Sequence, residues 1–394
     1  MAALFPLALV ALALALVVWA GHLWQEFDAV PGTASGSAVG GADANPGSGN
    51  AAGPGALGAP NGAPAASGNA SDIASRVSQG LVDITTTLGY ANGQAAGTGI
   101  VLTSAGEVLT NNHVIEGATD IAVTDVGNGR SYPATVVGYD RTHDIAVLQL
   151  QGASGLPTPV LGDSSGTAVG DAVTAIGNAG GVGGAPSVAP GTITALNRSV
   201  TATDDVDSTS EQLTHLIQIN ADIQAGDSGG ALVNSAGKII GIDTAASTGF
   251  QVQQSGGQGF AIPINQARAI VHQIETGAGS ASVHIGPTPI LGIQVQDVGI
   301  ENGHRRNRSF SQGSSFTSSG ALIRGVVAGS PAEQAGLSAG DVITSLDGQA
   351  VDSTSTLSAL LGLHHPGDQV ELGWFDSYGQ QQTATVQLVR GPAA

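Results

Sequence analysis

Residues 219–234, INADIQAGDSGGALVN, constrain this chain more than any other run. At its centre, Gly226-Asp227-Ser228-Gly229-Gly230 sets a hydroxyl between glycines. Glycine lets the backbone take a tight turn that a side chain would obstruct, and it leaves room for a carbonyl to approach. The N–H groups of Gly226 and Ser228 can then converge on an oxygen that becomes negative while the Ser228 hydroxyl attacks the carbon beside it. A plain Gly/Ser-rich hairpin loop would look similar in a chain with 60 glycines. Serine is moreover a poor nucleophile unless a histidine, oriented by a carboxylate, takes its proton. Two upstream segments separate these readings.

In residues 109–115 (LTNNHVI) His113 directly follows an apolar run, and in residues 142–148 (THDIAVL) Asp144 directly precedes one. In chain order the base, its orienting carboxylate and the nucleophile are His113, Asp144 and Ser228, the order of chymotrypsin and not of subtilisin or the α/β-hydrolases. A lone histidine or aspartate at a strand end is more often structural. Three in order with these neighbours reverse that expectation. Together TNNHVI, HDIAVLQL and GDSGGALVN resemble the bacterial HtrA/Deg serine proteases of the trypsin-like class, from about Ser71 to the C-terminus. The resemblance implies a mainly β fold. Two antiparallel β-barrels of the chymotrypsin type would hold the site in their cleft, His113 and Asp144 from the first and Ser228 from the second.

Composition agrees. At 394 residues the chain has room for two or three domains. Eleven Lys+Arg against 30 Asp+Glu give a net charge of −19, which repels nucleic acid and anionic lipid headgroups. With no cysteine there is no disulfide, thiolate zinc site or thiol catalysis, and no metal or cofactor is expected. Aromatic residues are only 4%, so the core is built from Val, Ile, Leu and Ala, which suits barrels of short strands.

Residues 2–20 are almost wholly apolar, at the short edge of what spans a bilayer as a helix, and Trp19 and Trp24 stand where interfacial aromatics belong. Residues 1–24 are therefore read as a single-pass transmembrane helix. The alternative is a signal peptide cleaved after Val18-Trp19-Ala20. Either way the rest of the chain is expected outside the cytoplasm. Residues 25–70, rich in Gly, Ala, Pro and Ser, cannot bury enough apolar surface to offset ordering and read as a disordered linker.

The protease domain is expected over 71–281. It starts with a short helix capped by Ser71 and continues in short β runs divided by turn residues. Residues 173–178 and 191–196 resemble the strands entering and leaving the family's mobile activation loop. Asp204, Asp205 and Asp207 come next as a solvated acidic loop, since their spacing lacks a calcium-loop pattern. Residues 239–244 and 259–263 resemble the strands flanking the family's specificity loop, and residues 264–276 read as a closing helix with Ala267, Ile270, Val271 and Ile274 buried. Position 227 is Asp where family members usually carry Asn. In trypsin-like zymogens an aspartate there pairs with an N-terminus released by cleavage, and no clear activation site precedes this domain. For the substrate residue before the cut bond, Asp222 stands where trypsin carries its Arg/Lys-recognising carboxylate, and Ile223 stands where the family places a branched apolar residue. Neighbours on an extended segment face opposite ways, so one of the two lines the pocket.

Residues 285–392 resemble a small α/β PDZ domain, with a polar insertion at 297–320. Such a domain binds an extended peptide C-terminus as an added strand. By resemblance Ile290, Leu291, Gly292 and Ile293 form the carboxylate loop, and residues 353–363 form the other wall of the groove. The expected partners are polypeptide substrates and peptide C-termini, with the membrane through the N-terminal helix; family members are commonly trimers. Two rivals stand beside a membrane-tethered serine endopeptidase acting on unfolded or damaged envelope proteins. One is a catalytically silent peptide-binding scaffold, which has no need of an oxyanion turn; the other is a chaperone-like holdase.

Overall fold

The computed structural model describes residues 67–90, 93–204, 210–244, 250–252, 259–280, 282–298, 300–301, 304–305 and 319–393. The apolar segment, most of the linker, Asp205, Asp207 and most of the 297–320 insertion lie outside these ranges. No helix among the described residues is long and apolar enough to cross a membrane.

Helix α1 (Ser67–Val77) leads in, anchored by buried Ile73, Ala74 and Val77. It begins ahead of Ser71, the cap offered by the sequence. Helical stability comes from the packed face, and that anchor supports one more turn before it. The first sheet comprises β1 (Leu81–Leu88), β2 (Gly93–Val101), β3 (Glu107–Thr110), β4 (Asp120–Asp125), β5 (Ser131–Asp140) and β6 (Ile145–Leu150). Its order is β5-β4-β1-β2-β3-β6, and β5 also pairs with β6, so the sheet closes into an antiparallel barrel. Helix α2 (Asn112–Ile115) follows β3.

The second sheet comprises β7 (Ala172–Gly177), β8 (Ser187–Asp204), β9 (Ser210–Ile219), β10 (Ala231–Asn234), β11 (Ile239–Thr244), β12 (Phe250–Val252) and β13 (Gly259–Pro263). It runs β12-β8-β7-β10-β11-β13-β9 and closes through β8–β9. Helix α3 (Ile264–Glu275) then packs with Ala267, Ile270, Val271 and Ile274 buried.

Strand periodicity explains why the barrels lie together. Along β3 and β6, Val108, Ala146 and Leu148 point into the first barrel's core. Alternate residues Leu109, Ile145 and Val147 point the other way, into a cluster shared with Ile176, Ala231 and Ile242 of the second barrel and with α3. These strands are apolar on both faces because both faces are buried. The site lies along this seam.

Strand β14 (Val283–Ile285) adds to β5 and leads into the last domain. There β15 (Pro289–Ile290) pairs with β24 (Val389–Arg390). A second sheet runs β16 (Ile293–Asp297), β19 (Ala321–Val326), β20 (Val342–Leu346), β22 (Gln369–Phe375) and β23 (Gln381–Gln387), with β21 (Gln349–Ala350) beside β20. In the insertion, β17 (Ile300–Glu301) pairs with β18 (His304–Arg305). Helix α4 (Pro331–Gln334) is capped by Ser330 and helix α5 (Thr354–Leu361) by Ser353.

Candidate active site

Three elements converge at the seam. Helix α2 presents His113 immediately after β3, and Asp144 sits in the turn before β6 with φ of 55°, a left-handed conformation that Asp tolerates better than most residues. That turn aims the carboxylate back at α2. His113 Nδ1 lies 3.0 Å from Asp144 Oδ1 and 2.9 Å from Oδ2, and the His113 backbone N–H donates to Oδ1 at 3.0 Å. Both side chains are buried, at 4% and 2% exposure, so little water competes for these bonds. A carboxylate only accepts, so Nδ1 carries the proton and Nε2 is the basic nitrogen. Two further groups hold Asp144: Asn111 Nδ2 donates to its carbonyl at 2.9 Å, and Thr244 Oγ1 donates to Oδ2 at 3.3 Å.

Ser228 is 1% exposed, in the turn between β9 and β10. Gly226 has φ of 97°, and a Cβ there would overlap the carbonyl oxygen of Asn178, so only glycine fits. Nearly every peptide of the turn is held. The Ala225 carbonyl accepts from Gly180 N–H at 2.6 Å, the Gly226 carbonyl from Thr98 Oγ1 at 2.8 Å, and the Ser228 carbonyl from Thr98 N–H at 2.8 Å. Gly229 N–H donates to the Asp243 carbonyl and Asp243 N–H to the Gly230 carbonyl, each at 2.9 Å. The end of β11 thus touches both halves of the site, clamping the turn through Asp243 and bonding the Asp144 carboxylate through Thr244.

Two buried carboxyl groups lie under the turn. Asp227 accepts from Ser187 Oγ at 2.7 Å and from Gln224 N–H at 2.9 Å. Those are its partners among the described residues. Burial raises its pKa, the two hydrogen bonds oppose that, and Asp222 adds a small rise. Asp243 is 0% exposed, and neither of its carboxyl oxygens has a well-formed hydrogen bond among the described residues. Burial pushes its pKa well above the carboxylate range, and Asp227 adds to the rise.

Residues 97–242 match the trypsin-like peptidase domain family, and residues 289–390 match the PDZ domain family. The chain is 36% identical over 338 residues to the serine protease PepD of Mycobacterium tuberculosis, covering 82% of this chain and 66% of that protein. It is 36% identical over 283 residues to the periplasmic pH-dependent serine endoprotease DegQ of Escherichia coli, covering 71% of this chain and 56% of that protein. Among solved structures it is similar to the HtrA-type protease AlgW with tripeptide, at 30% identity and a TM-score of 0.45, covering 82% of this chain and 98% of that one. The chain belongs to the HtrA-type serine proteases. It spans between about half and two thirds of the length of the curated relatives it matches.

In this HtrA-type chain Asp222 and Ile223 meet different surroundings. Asp222 is exposed and accepts from Gln224 Nε2 at 3.3 Å. Ile223 is half-buried against the second barrel's core, and its side chain fills the space where Gly259 lacks a Cβ. In the PDZ domain Leu291 is buried and its carbonyl accepts from Ala332 N–H at 3.0 Å. Ile290 is tied into β15, and Ile293 opens β16, the terminal strand of its sheet. Gly292 has φ of 79°, and a Cβ there would overlap Ser330. Helix α5 packs against β16 and β19, but Leu357 and Leu360 are core residues and only Leu361 is half-buried at the surface.

Sequence reasoning misses Thr98, Thr244 and Asp243. A carboxylate inside the apolar run IIGIDT is a signal that marks Asp243. Nothing in the sequence distinguishes Thr98 or Thr244 from other strand threonines.

Proposed function

We propose that the chain is a serine endopeptidase in which Ser228 attacks the substrate carbonyl. His113 takes and returns the proton, Asp144 holds the imidazole, and the N–H groups of Gly226 and Ser228 receive the oxyanion. The observation that carries this reading is the buried His113 Nδ1 lying within 3.0 Å of both Asp144 oxygens, beside a serine turn whose peptides are individually held. A structural histidine–aspartate pair would have no use for such a turn. Ile223, packed against the barrel wall while Asp222 is exposed, makes the pocket shallow and apolar, suited to Val, Ala or Leu before the cut bond.

The protease domain runs over 71–281 and the PDZ domain over 285–392. In the PDZ domain Ile290, Leu291, Gly292 and Ile293 receive a peptide carboxylate and β16, the terminal strand among the described residues, receives the peptide strand. Residues 1–24 tether the chain to a membrane with both domains outside the cytoplasm, a reading supported by the apolar run and by Trp19 and Trp24. The linker from residue 25 up to α1 spaces the domains from the bilayer. Unfolded envelope proteins are the substrate class.

The test is labelling by a fluorophosphonate probe together with cleavage of fluorogenic peptides carrying Val or Arg before the cut bond. Ser228→Ala is expected to abolish both while the protein stays folded; activity within about tenfold of wild type sinks the assignment. A preference for Arg that is lost in Asp222→Ala overturns the pocket.

A further inference from the structure

One side chain of the first barrel reaches across the seam into the serine turn of the second. Thr98 belongs to β2 and is 1% exposed. Its hydroxyl donates to the Gly226 carbonyl at 2.8 Å and accepts from Asn178 N–H at 2.9 Å. Its backbone N–H donates to the Ser228 carbonyl at 2.8 Å, and its own carbonyl accepts from Thr110 Oγ1 at 2.7 Å. Asn178 starts the segment that carries Gly180, and Gly180 N–H holds the Ala225 carbonyl at 2.6 Å. In a trans peptide the C=O and the following N–H point opposite ways. Holding the Ala225 oxygen on Gly180 therefore turns Gly226 N–H to the other side of the turn, where an oxyanion donor is needed. The hydroxyl sits on both ends of this arrangement, on the Gly226 carbonyl and on the start of the segment that orients the peptide before it.

We infer that the Thr98 hydroxyl is a positioning residue for the oxyanion turn. It locks the Gly226 peptide and the 178–181 segment to one another, so that the turn is competent only while both bonds are made. The inference rests on the reading of Ser228 as nucleophile. Valine has the shape of threonine but neither bond, and would leave a buried carbonyl and a buried N–H without their partner. Serine keeps both. The effect belongs to the transition state and the tetrahedral species beside it, because the bound substrate carries no oxyanion.

The experiment uses the full chain as wild type, Thr98→Val, Thr98→Ser and Ser228→Ala. In Thr98→Val, kcat on a fluorogenic peptide is expected to fall about 10- to 100-fold with KM within about twofold. Affinity for a peptide aldehyde, whose adduct carries the oxyanion, is expected to fall in step. Thr98→Ser is expected to stay within about threefold of wild type in kcat. Hydrogen–deuterium exchange at the Asn178 amide is expected to quicken in Thr98→Val and not in Thr98→Ser. Wild-type kcat in Thr98→Val, a loss confined to KM, equal damage in Thr98→Ser, or unchanged Asn178 exchange each overturns the inference. Should Thr98→Val not fold, Thr98→Ala removes the hydroxyl without placing a methyl against Asn178. A wild type that takes no fluorophosphonate fails the reading of Ser228 and brings the inference down with it. A labelled wild type with an unaffected Thr98→Val fails Thr98 alone.

Discussion

At the scale of single residues, Asp243 is the most demanding group near the site. Its carboxyl is fully buried without a well-formed hydrogen bond among the described residues, and Asp227 lies close enough to oppose its charge. With its folded pKa raised well above the ordinary carboxylate value, the folded state keeps a proton that the unfolded chain has released. Stability therefore falls as pH rises from the ordinary carboxylate range towards the raised value, and Asp227 contributes with the same sign. Asp243→Asn, neutral at every pH, is expected to melt above wild type at about pH 8, with the gap closing towards about pH 4. Melting curves across that range check it, and a gap independent of pH overturns it. This carboxyl also shows where residue-level reading stops. Glycines and a serine in GDSGG announce their own turn chemistry, and the neighbours of His113 and Asp144 mark them out. Thr98 and Thr244 act through hydroxyls whose partners lie in distant parts of the chain, 128 and 100 residues away, and no local pattern carries such contacts.

Among the elements, β6, β11 and β13 have the bounds that their apolar runs suggest, whereas β9 has no visible run at all. Its buried Leu213, Leu216, Ile217 and Ile219 do not alternate, because His215 adopts a φ of 62° and the pairing with β8 shifts register along its length. Irregular pairing breaks the period of two on which strand recognition depends. The same shifts conceal that β8 runs from Ser187 to Asp204, well beyond the apolar stretch at 191–196. In the PDZ domain the local chemistry is easier to read, since Gly292 at positive φ opens the loop and β16 ends the sheet. A peptide with an apolar last residue and a free carboxylate is expected to bind at least about tenfold more tightly than its C-terminal amide, because only the acid makes charge-assisted bonds to the loop N–H groups. Fluorescence anisotropy with the paired peptides measures this. Equal affinity for acid and amide removes the carboxylate loop from Ile290, Leu291, Gly292 and Ile293.

Across the whole molecule, the PDZ domain is fastened to the first barrel by contacts that no side-chain pattern announces. His284, on the strand added to β5, lies 2.8 Å through Nδ1 from the Gly362 carbonyl at the end of α5 and 3.2 Å through Nε2 from the Pro287 carbonyl. Its ring centroid lies 5.0 Å from that of Tyr139 and 5.4 Å from that of His365. The run after β24 returns to the same barrel. Ala393 N–H donates to the Ala118 carbonyl at 2.8 Å, and Gly117 N–H donates to the Ala393 carbonyl at 2.7 Å. Most of these partners are main-chain atoms, which explains why the sequence is silent about them. Domains joined by a small interface usually unfold separately, whereas coupling through several bonds across one face makes them lose structure together. Wild type is therefore expected to show a single calorimetric transition for the two domains. His284→Ala combined with Ala393→Pro, which removes the ring contacts and the N–H donated to Ala118, is expected to split that transition in two. The PDZ part should then melt first, since it has the smaller core. A single transition in the double variant would mean that the other contacts across this face suffice and that His284 and Ala393 do not hold the domains together.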